Sequence, residues 1–446
     1  MGQQSALASA RHDLMNTHFY NLLADFCDGL ADRRPLGVAV SGGSDSLGML
    51  YGLVQMIGPG RVVALTVDHG LRAASADEAR YVKSLCRRIG VRHQTLDWEG
   101  DKPQTGVQAA ARTARYHLLG QAAQQLGLAA VLTGHTRDDQ HETLAMRRAR
   151  GLTDVAPGLA GIPHASLFDG RMWVLRPLLQ VQRTEIRSFL TTAGVTWIDD
   201  PSNCDLRYER VRVRTEIQGN PAQPLDLDAQ RAITERWRLA RAAAEQIDTH
   251  CRIDADRTVR IRMHADSADD AVTAAITALI DVFGGASRPL DRRGKTTLEA
   301  FVCGDSGQSA ITVGRAVLRR NGAELAMRRE RRGLENCVIP AGANADWDGR
   351  FRVRNLDRVS PLMVSAGLSQ GVLPLFGRDY GQGSKTWGLQ EQVIGGFCAD
   401  ALIGRYSRIL PVYEVPLAQA IARLLGARQF PECPWDNSGD FKTNVR

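Results

Sequence analysis

Six residues, Ser41-Gly42-Gly43-Ser44-Asp45-Ser46, directly follow the apolar run Leu36-Gly37-Val38-Ala39-Val40. Small side chains let successive backbone N–H groups converge on an anion, and a helix beginning near Leu47 would aim its positive end at the same ligand. The run therefore reads as a phosphate-binding turn, although taken alone it equally fits an ordinary solvated turn. No lysine follows the glycines, which separates it from the Gly-x-x-x-x-Gly-Lys-Ser/Thr loop that grips β and γ phosphates. An aspartate in that place suits a magnesium-bound pyrophosphate that must leave. Asp45 would hold the metal while Ser41, Gly42, Gly43, Ser44 and Ser46 cradle the oxygens.

Polar residues collect after two further apolar runs. Val62 to Val67 ends in Asp68-His69-Gly70-Leu71-Arg72, and Ala129 to Thr133 ends in Gly134-His135-Thr136-Arg137-Asp138-Asp139-Gln140-His141-Glu142-Thr143. Open parallel sheets bind ligands at the carboxyl ends of their strands, which is where these groups would lie. Asp68 and His69 could line a nucleotide there, or Asp68 could cap its turn and His69 sit on the surface. Asp139 and Glu142, three apart on a helix, share a face and could bind an ammonium group or accept its proton. Asp138 and Glu142, four apart, could instead form a solvated face or an N-terminal charge arrangement. Arg112, Arg115 and Tyr116 sit at helical spacing in an alanine-rich segment, where the arginines could be substrate contacts or solvated charges.

These groups require a scaffold of alternating strands and helices. Strands are predicted at Gly37 to Val40, Val62 to Val67, Val91 to Leu96 and Ala129 to Thr133, and helices at Leu47 to Met56, Ala76 to Ile89, Val107 to Leu126 and Asp139 to Arg148. Ser75 and Glu78 offer a capping box and Gly90 a stop for the second helix. A fifth unit follows, with a helix at Thr184 to Ala193, Gly194 as its stop and a short strand at Val195 to Ile198; a helix at Leu206 to Ile217 closes the domain. The fold class is α/β, an open parallel sheet with smaller carboxyl-terminal α or α+β domains. The prolines of Gly219-Asn220-Pro221-Ala222-Gln223-Pro224 mark a boundary. The expected organisation is a catalytic domain over 1–218, a mostly helical domain over 226–335 with a strand pair around Thr258 to Met263, and a third domain over 340–446.

At 446 residues the chain can support several cores. Of its 56 basic residues only five are lysines, and the formal net charge is +7. The planar fork of arginine pairs with phosphate at two points, so this balance fits a polyanion partner, though a GC-rich genome alone would also favour arginine. The eight cysteines include no Cys-x-x-Cys pair, which argues against a zinc site or disulfide framework. Residues Met1 to Tyr20 lack the apolar core of a signal peptide, and no run approaches the roughly 18 apolar residues of a membrane span. A cytoplasmic protein without membrane contact is expected.

The Ser-Gly-Gly-x-Asp-Ser loop resembles that of the N-type ATP pyrophosphatases, the PP-loop family. Adding Asp68 to Arg72, the segment Gln108 through Arg112 to Arg115-Tyr116, the block Gly134 to Thr143, Arg176-Pro177-Leu178-Leu179 and Asp200-Pro201-Ser202-Asn203, the chain is similar to the tRNA(Ile)-lysidine synthetase family over roughly residues 30 to 216. Where that family usually has Asn after Arg210, this chain has Val211. The resemblance implies ATP-dependent attachment of free lysine to the wobble cytidine of a tRNA(Ile) with a CAU anticodon, with ATP as co-substrate and Mg2+ as metal. It places Ser41 to Ser46, Asp68, His69, Gly134 and His135 at ATP, Asp139 and Glu142 at lysine, and Arg112 and Arg210 near the substrates. Extra domains are expected to position the tRNA, with Arg315, Arg319-Arg320, Arg328-Arg329 and Arg331-Arg332 as candidate contacts, and a homodimer is compatible with this reading. The alternatives are another PP-loop adenylating enzyme, such as a tRNA thiolase or a small-molecule amide ligase, and a tRNA-binding relative without catalysis. Thiolases of related fold commonly use paired cysteines, which are absent here.

Overall fold

The computed structural model describes residues 17–70, 75–100, 102–151, 157–199, 209–219, 225–254, 258–263, 269–286, 288–304, 307–330, 332–364, 392–394 and 396–436. Leu71, Arg72, Asp200 to Asn203, Asn220 to Pro224, Arg331 and the chain after Asp436 lie outside them. Two compact units emerge, one of Met1–Thr234 with Glu432–Arg446, the other of Glu235–Pro431.

In the first unit, helix α1 (His18–Asp28) precedes strand β1 (Leu36–Ala39). There follow α2 (Ser44–Ile57), β2 (Val62–Asp68), α3 (Ser75–Arg88), β3 (Arg92–Asp97), α4 (Val107–Gln125), β4 (Val131–Thr133) and α5 (Arg137–Ala149). Then come β5 (Ala165–Phe168), β6 (Met172–Leu175), α6 (Arg183–Thr192) and α7 (Glu209–Gly219). The strands of this unit run in the order β5-β6-β4-β1-β2-β3. All pairings are parallel except β5 with β6. Val38, Leu65, Val131, Leu132, Val174 and Leu175 are buried, as continuous apolar strands covered on both faces should be. The sheet is thus mostly parallel with an antiparallel edge.

Three local departures from expectation bear on the site. Helix α2 begins at Ser44, so Ser44, Asp45 and Ser46 form its first turn, not a loop ahead of it. The segment Val195 to Ile198 is not a strand; the Ile198 N–H donates to the Gly42 carbonyl at 2.9 Å, tying this chain to the phosphate turn instead of to a sheet edge. The β5–β6 hairpin was not anticipated. Its turn carries Asp169 and Gly170, both with positive φ, at 48° and 62°.

The long α8 (Leu225–His250) leads into the second unit. There β7 (Cys251–Ile253), β8 (Val259–Arg262), β9 (Ala310–Val313), β10 (Ala316–Asn321) and β11 (Glu324–Arg329) form an antiparallel sheet in the order β7-β8-β11-β10-β9. With α9 (Asp270–Gly284) and α10 (Arg292–Cys303), this segment holds more sheet than helical periodicity alone announces. Further along, β12 (Asn344–Trp347), β13 (Phe351–Asn355), β14 (Gln392–Ile394) and β15 (Phe397–Ala401) make a second sheet around Trp347, Val353 and Phe397. Several arginines offered as RNA contacts are spent inside this unit. Arg329 and Arg315 pair with buried Asp348, Arg320 donates to the carbonyls of Phe301 and Val302, and Arg328 donates to Thr258. Arg319 is exposed.

Candidate active site

The turn between β1 and α2 is braced from within. Gly42 has φ of 89°, a conformation that favours glycine, and the Ser46 hydroxyl donates to the Gly43 carbonyl at 3.0 Å while accepting the Ser41 N–H at 3.2 Å. Ser46 therefore shapes the turn. Gly43 caps α2 without any side-chain bond, so the first N–H groups of the helix remain the anion-binding donors that a helix start provides. Gly134, where the chain leaves β4, lies against this turn. A Cβ there would meet the Asp45 carbonyl carbon and oxygen and the Ser46 nitrogen, each at 3.0 Å.

Three carboxylates and three arginines meet beside it. Asp45 accepts from Ser44 Oγ at 3.0 Å and from Arg183 Nε at 2.9 Å. Burial raises the Asp45 carboxyl above its usual value, more than the nearby Arg183 lowers it. Asp139 accepts at 2.7 Å from the Thr136 backbone and at 3.0 Å from the Thr136 hydroxyl, closing the capping box of α5, while its other oxygen takes Arg210 at 2.6 Å and Arg183 at 3.5 Å. Burial alone would raise Asp139, but the guanidinium charges of Arg210 and Arg183 and the Thr136 N–H outweigh it and hold the group ionised below its usual range. Glu142, whose side chain is only 2% exposed, accepts from Arg210 and, at 2.6 Å, from Arg214. Asp139 and Glu142 thus do share one face of α5, and Arg210 spans them. Formal charges cancel across Asp45, Asp139, Glu142, Arg183, Arg210 and Arg214.

His135 lies next to this cluster, with Nδ1 2.9 Å from Thr133 Oγ1. Burial and the neighbouring Arg176 push it down to about 3, so it is neutral at physiological pH. Arg112 contributes to the same effect, which brings it electrostatically into the site, and its guanidinium stands over the Tyr116 ring at 5.1 Å. Asp68 and His69 end the neighbouring strand, with contacts outside the carboxylate cluster. Asp68 accepts the Gly70 N–H at 2.8 Å, the turn-capping role, and His69 meets Trp98 edge-on at 5.9 Å. His69 Nδ1 is buried without a hydrogen-bond partner, and burial, with Arg115 nearby, lowers its pKa.

Arg183 and Arg214 were not anticipated. Arg214 had a signal: it stands four residues after Arg210, so both reach one face of α7. Arg183 had a weaker one, since a cation at the first position of a helix opposes the dipole and calls for an anionic partner.

Among the described residues, no group of three or more His, Cys, Asp or Glu side chains could hold a metal ion. A single carboxylate nonetheless fits magnesium, which commonly takes one or two protein carboxylates and completes its shell with substrate phosphates and water.

Residues 14–220 match the family model described as a PP-loop domain. The chain is 38% identical over 452 residues to a tRNA(Ile)-lysidine synthase of Rhizobium meliloti (strain 1021), covering 93% of this chain and 96% of that one. It is 36% identical to one of Mesorhizobium japonicum, covering 89% and 93%, and 38% identical to one of Brucella melitensis biotype 2, covering 72% and 75%. A phosphate turn with an aspartate for the lysine, an arginine-bridged carboxylate pair beside it, and likeness extending well past the PP-loop segment agree: the chain belongs to the tRNA(Ile)-lysidine synthase family.

Proposed function

We propose that this protein uses ATP to join free lysine to the wobble cytidine of a tRNA(Ile) bearing a CAU anticodon. Carbon 2 of cytosine is a poor electrophile because its oxygen leaves poorly. In the first step that oxygen attacks the α-phosphorus of ATP, the bond to the β-phosphate oxygen breaks, and pyrophosphate departs. The backbone of Ser41 to Ser46 holds the phosphates, and Gly134 keeps β4 clear of the turn. Magnesium, held by Asp45, would neutralise charge on the departing pyrophosphate. In the second step the lysine side-chain amine attacks carbon 2 and AMP leaves.

The observation that carries this reading is the arginine bridge across Asp139 and Glu142. Two buried carboxylates, both facing a guanidinium, form a ready site for a cationic side chain. An incoming ammonium would compete with Arg210 for the same oxygens. The ammonium must also lose a proton, since its free pKa is near 10.4, and Asp139 and Glu142 are the acceptors at hand. His135 is neutral and serves as a hydrogen-bonding group.

Residues 226–335 and 340–446 are assigned to tRNA positioning, because a splayed wobble base costs a few kcal/mol of stacking that contacts elsewhere must offset. No described helix is long and apolar enough to cross a membrane. The reading is tested by Asp45→Asn, followed by pyrophosphate release with ATP, magnesium and the tRNA transcript. The variant should lose at least 100-fold in rate, and full activity would remove Asp45 from the phosphate chemistry.

A further inference from the structure

The phosphate turn lacks the lysine that other nucleotide-binding loops carry, yet a cation reaches the same place from another element. Arg183 is the first residue of α6, and its own N–H donates to Asp138 Oδ2 at 2.9 Å. Helix α6 lies hard against α2: a Cβ on Gly48 would come within 2.2 Å of Ile186 Cγ2, so only glycine admits this approach. Arg187, one turn further along α6, directs Nε to Ser44 Oγ at 3.4 Å. The Arg183 side chain, 18% exposed, is therefore held beside the first turn of α2, where it lies on Asp45.

That contact conflicts with magnesium. Both oxygens of Asp45 are occupied, one by Ser44 and one by Arg183, and a guanidinium and a divalent cation repel each other at a shared carboxylate. Arg183 would have to leave Asp45 if that carboxylate held magnesium. Its other carboxylate neighbour, Asp139 at 3.5 Å, already takes Arg210 at 2.6 Å through the same oxygen, so with its backbone fixed at the start of α6 the freed guanidinium would turn to phosphates held on the adjacent nest. We propose that Arg183 exchanges from Asp45 to the β and γ phosphates when magnesium–ATP binds, and there stabilises the charge of the departing pyrophosphate. Arg183 then supplies, from a separate helix, the cation that the turn itself lacks. The inference rests on the phosphate-turn reading given above.

The test compares ATP with AMP, because AMP has no β or γ phosphate. Equilibrium binding of each nucleotide to the full-length protein with magnesium is measured for wild type, Arg183→Gln and Arg183→Lys, beside thermal unfolding of each. Arg183→Gln should weaken ATP binding about 10- to 100-fold, the loss of one charge-assisted contact, and leave AMP binding unchanged. Arg183→Lys, which keeps the charge and the fold, should recover part of the ATP preference. Equal weakening of ATP and AMP, or no weakening of either, would overturn the exchange while leaving the phosphate turn in place. A wild-type protein that binds ATP no better than AMP would overturn both.

Discussion

Replacing Glu142 with Gln separates the two half-reactions. Glu142 accepts from Arg210 and Arg214, whose side chains are 44% and 26% exposed. Breaking a fully buried pair costs about 3–5 kcal/mol, but solvent reaches both arginines and the amide keeps one acceptor oxygen, so the stability loss should be about 2 kcal/mol. For a unit of this size that lowers Tm by about 4–8 °C. Lysine loses a charged partner, about 1.5–3 kcal/mol, which raises its KM about 10- to 100-fold. Adenylation, which draws on Asp45 and the turn, should keep its rate. The assay follows pyrophosphate release and labelled-lysine transfer in parallel on one tRNA transcript, with differential scanning for Tm. An unchanged lysine KM, or equal losses in both half-reactions, would refute the assignment of Glu142 to lysine.

Gly134→Ala should cost about 1–3 kcal/mol and weaken ATP binding, because its Cβ would press on the backbone of Asp45 and Ser46; scanning calorimetry and nucleotide titration check both. His135 has a folded pKa near 3 against a free value near 6.5, so its contribution to stability is full above pH 6.5 and declines as pH falls toward 3. Between pH 7 and pH 5, wild type should lose about 2 kcal/mol more than His135→Gln in urea unfolding; equal losses would contradict the neutral, buried assignment. Thr136→Ala removes the hydroxyl cap on α5 and should cost about 1 kcal/mol, with a larger loss in lysine use than in adenylation because Asp139 is freed to turn; kcat and KM for lysine check the split.

Much of the scaffold was legible because the central parallel strands β1, β2 and β4 are rich in Val, Leu and Ala, and each falls within two residues of its expected limits. The edge strand β3, Arg-His-Gln-Thr-Leu-Asp, is mostly unburied, and its expected limits were no further off. The sharp turn between β1 and α2 was legible from its place, since the Ser/Gly/Asp run alone equally fits a solvated turn and only its position directly after a buried strand sets it apart. The strand assigned to Val195 to Ile198 failed because an apolar run records burial, not the partner that receives it. There the partner is Gly42 and not a sheet neighbour. The β5–β6 hairpin had its Asp169-Gly170 signal, hidden by apolar runs of only four residues on either side. Arg183 was legible only as a cation at a helix start in want of an anion; that the anion is Asp45 depends on α6 docking through Gly48, a long-range contact that no local pattern encodes. The carboxyl-terminal strap is of the same kind: Trp435 bridges back to Leu30 and packs on Phe26 at 5.2 Å.

The most direct test of the central claim is transfer of labelled lysine, with ATP and magnesium, to a tRNA(Ile) transcript with a CAU anticodon and to the same transcript with its wobble cytidine replaced. The account predicts ATP-dependent transfer to the first and none to the second. Transfer to neither by folded, ATP-bound protein, or equal transfer to both, would contradict it.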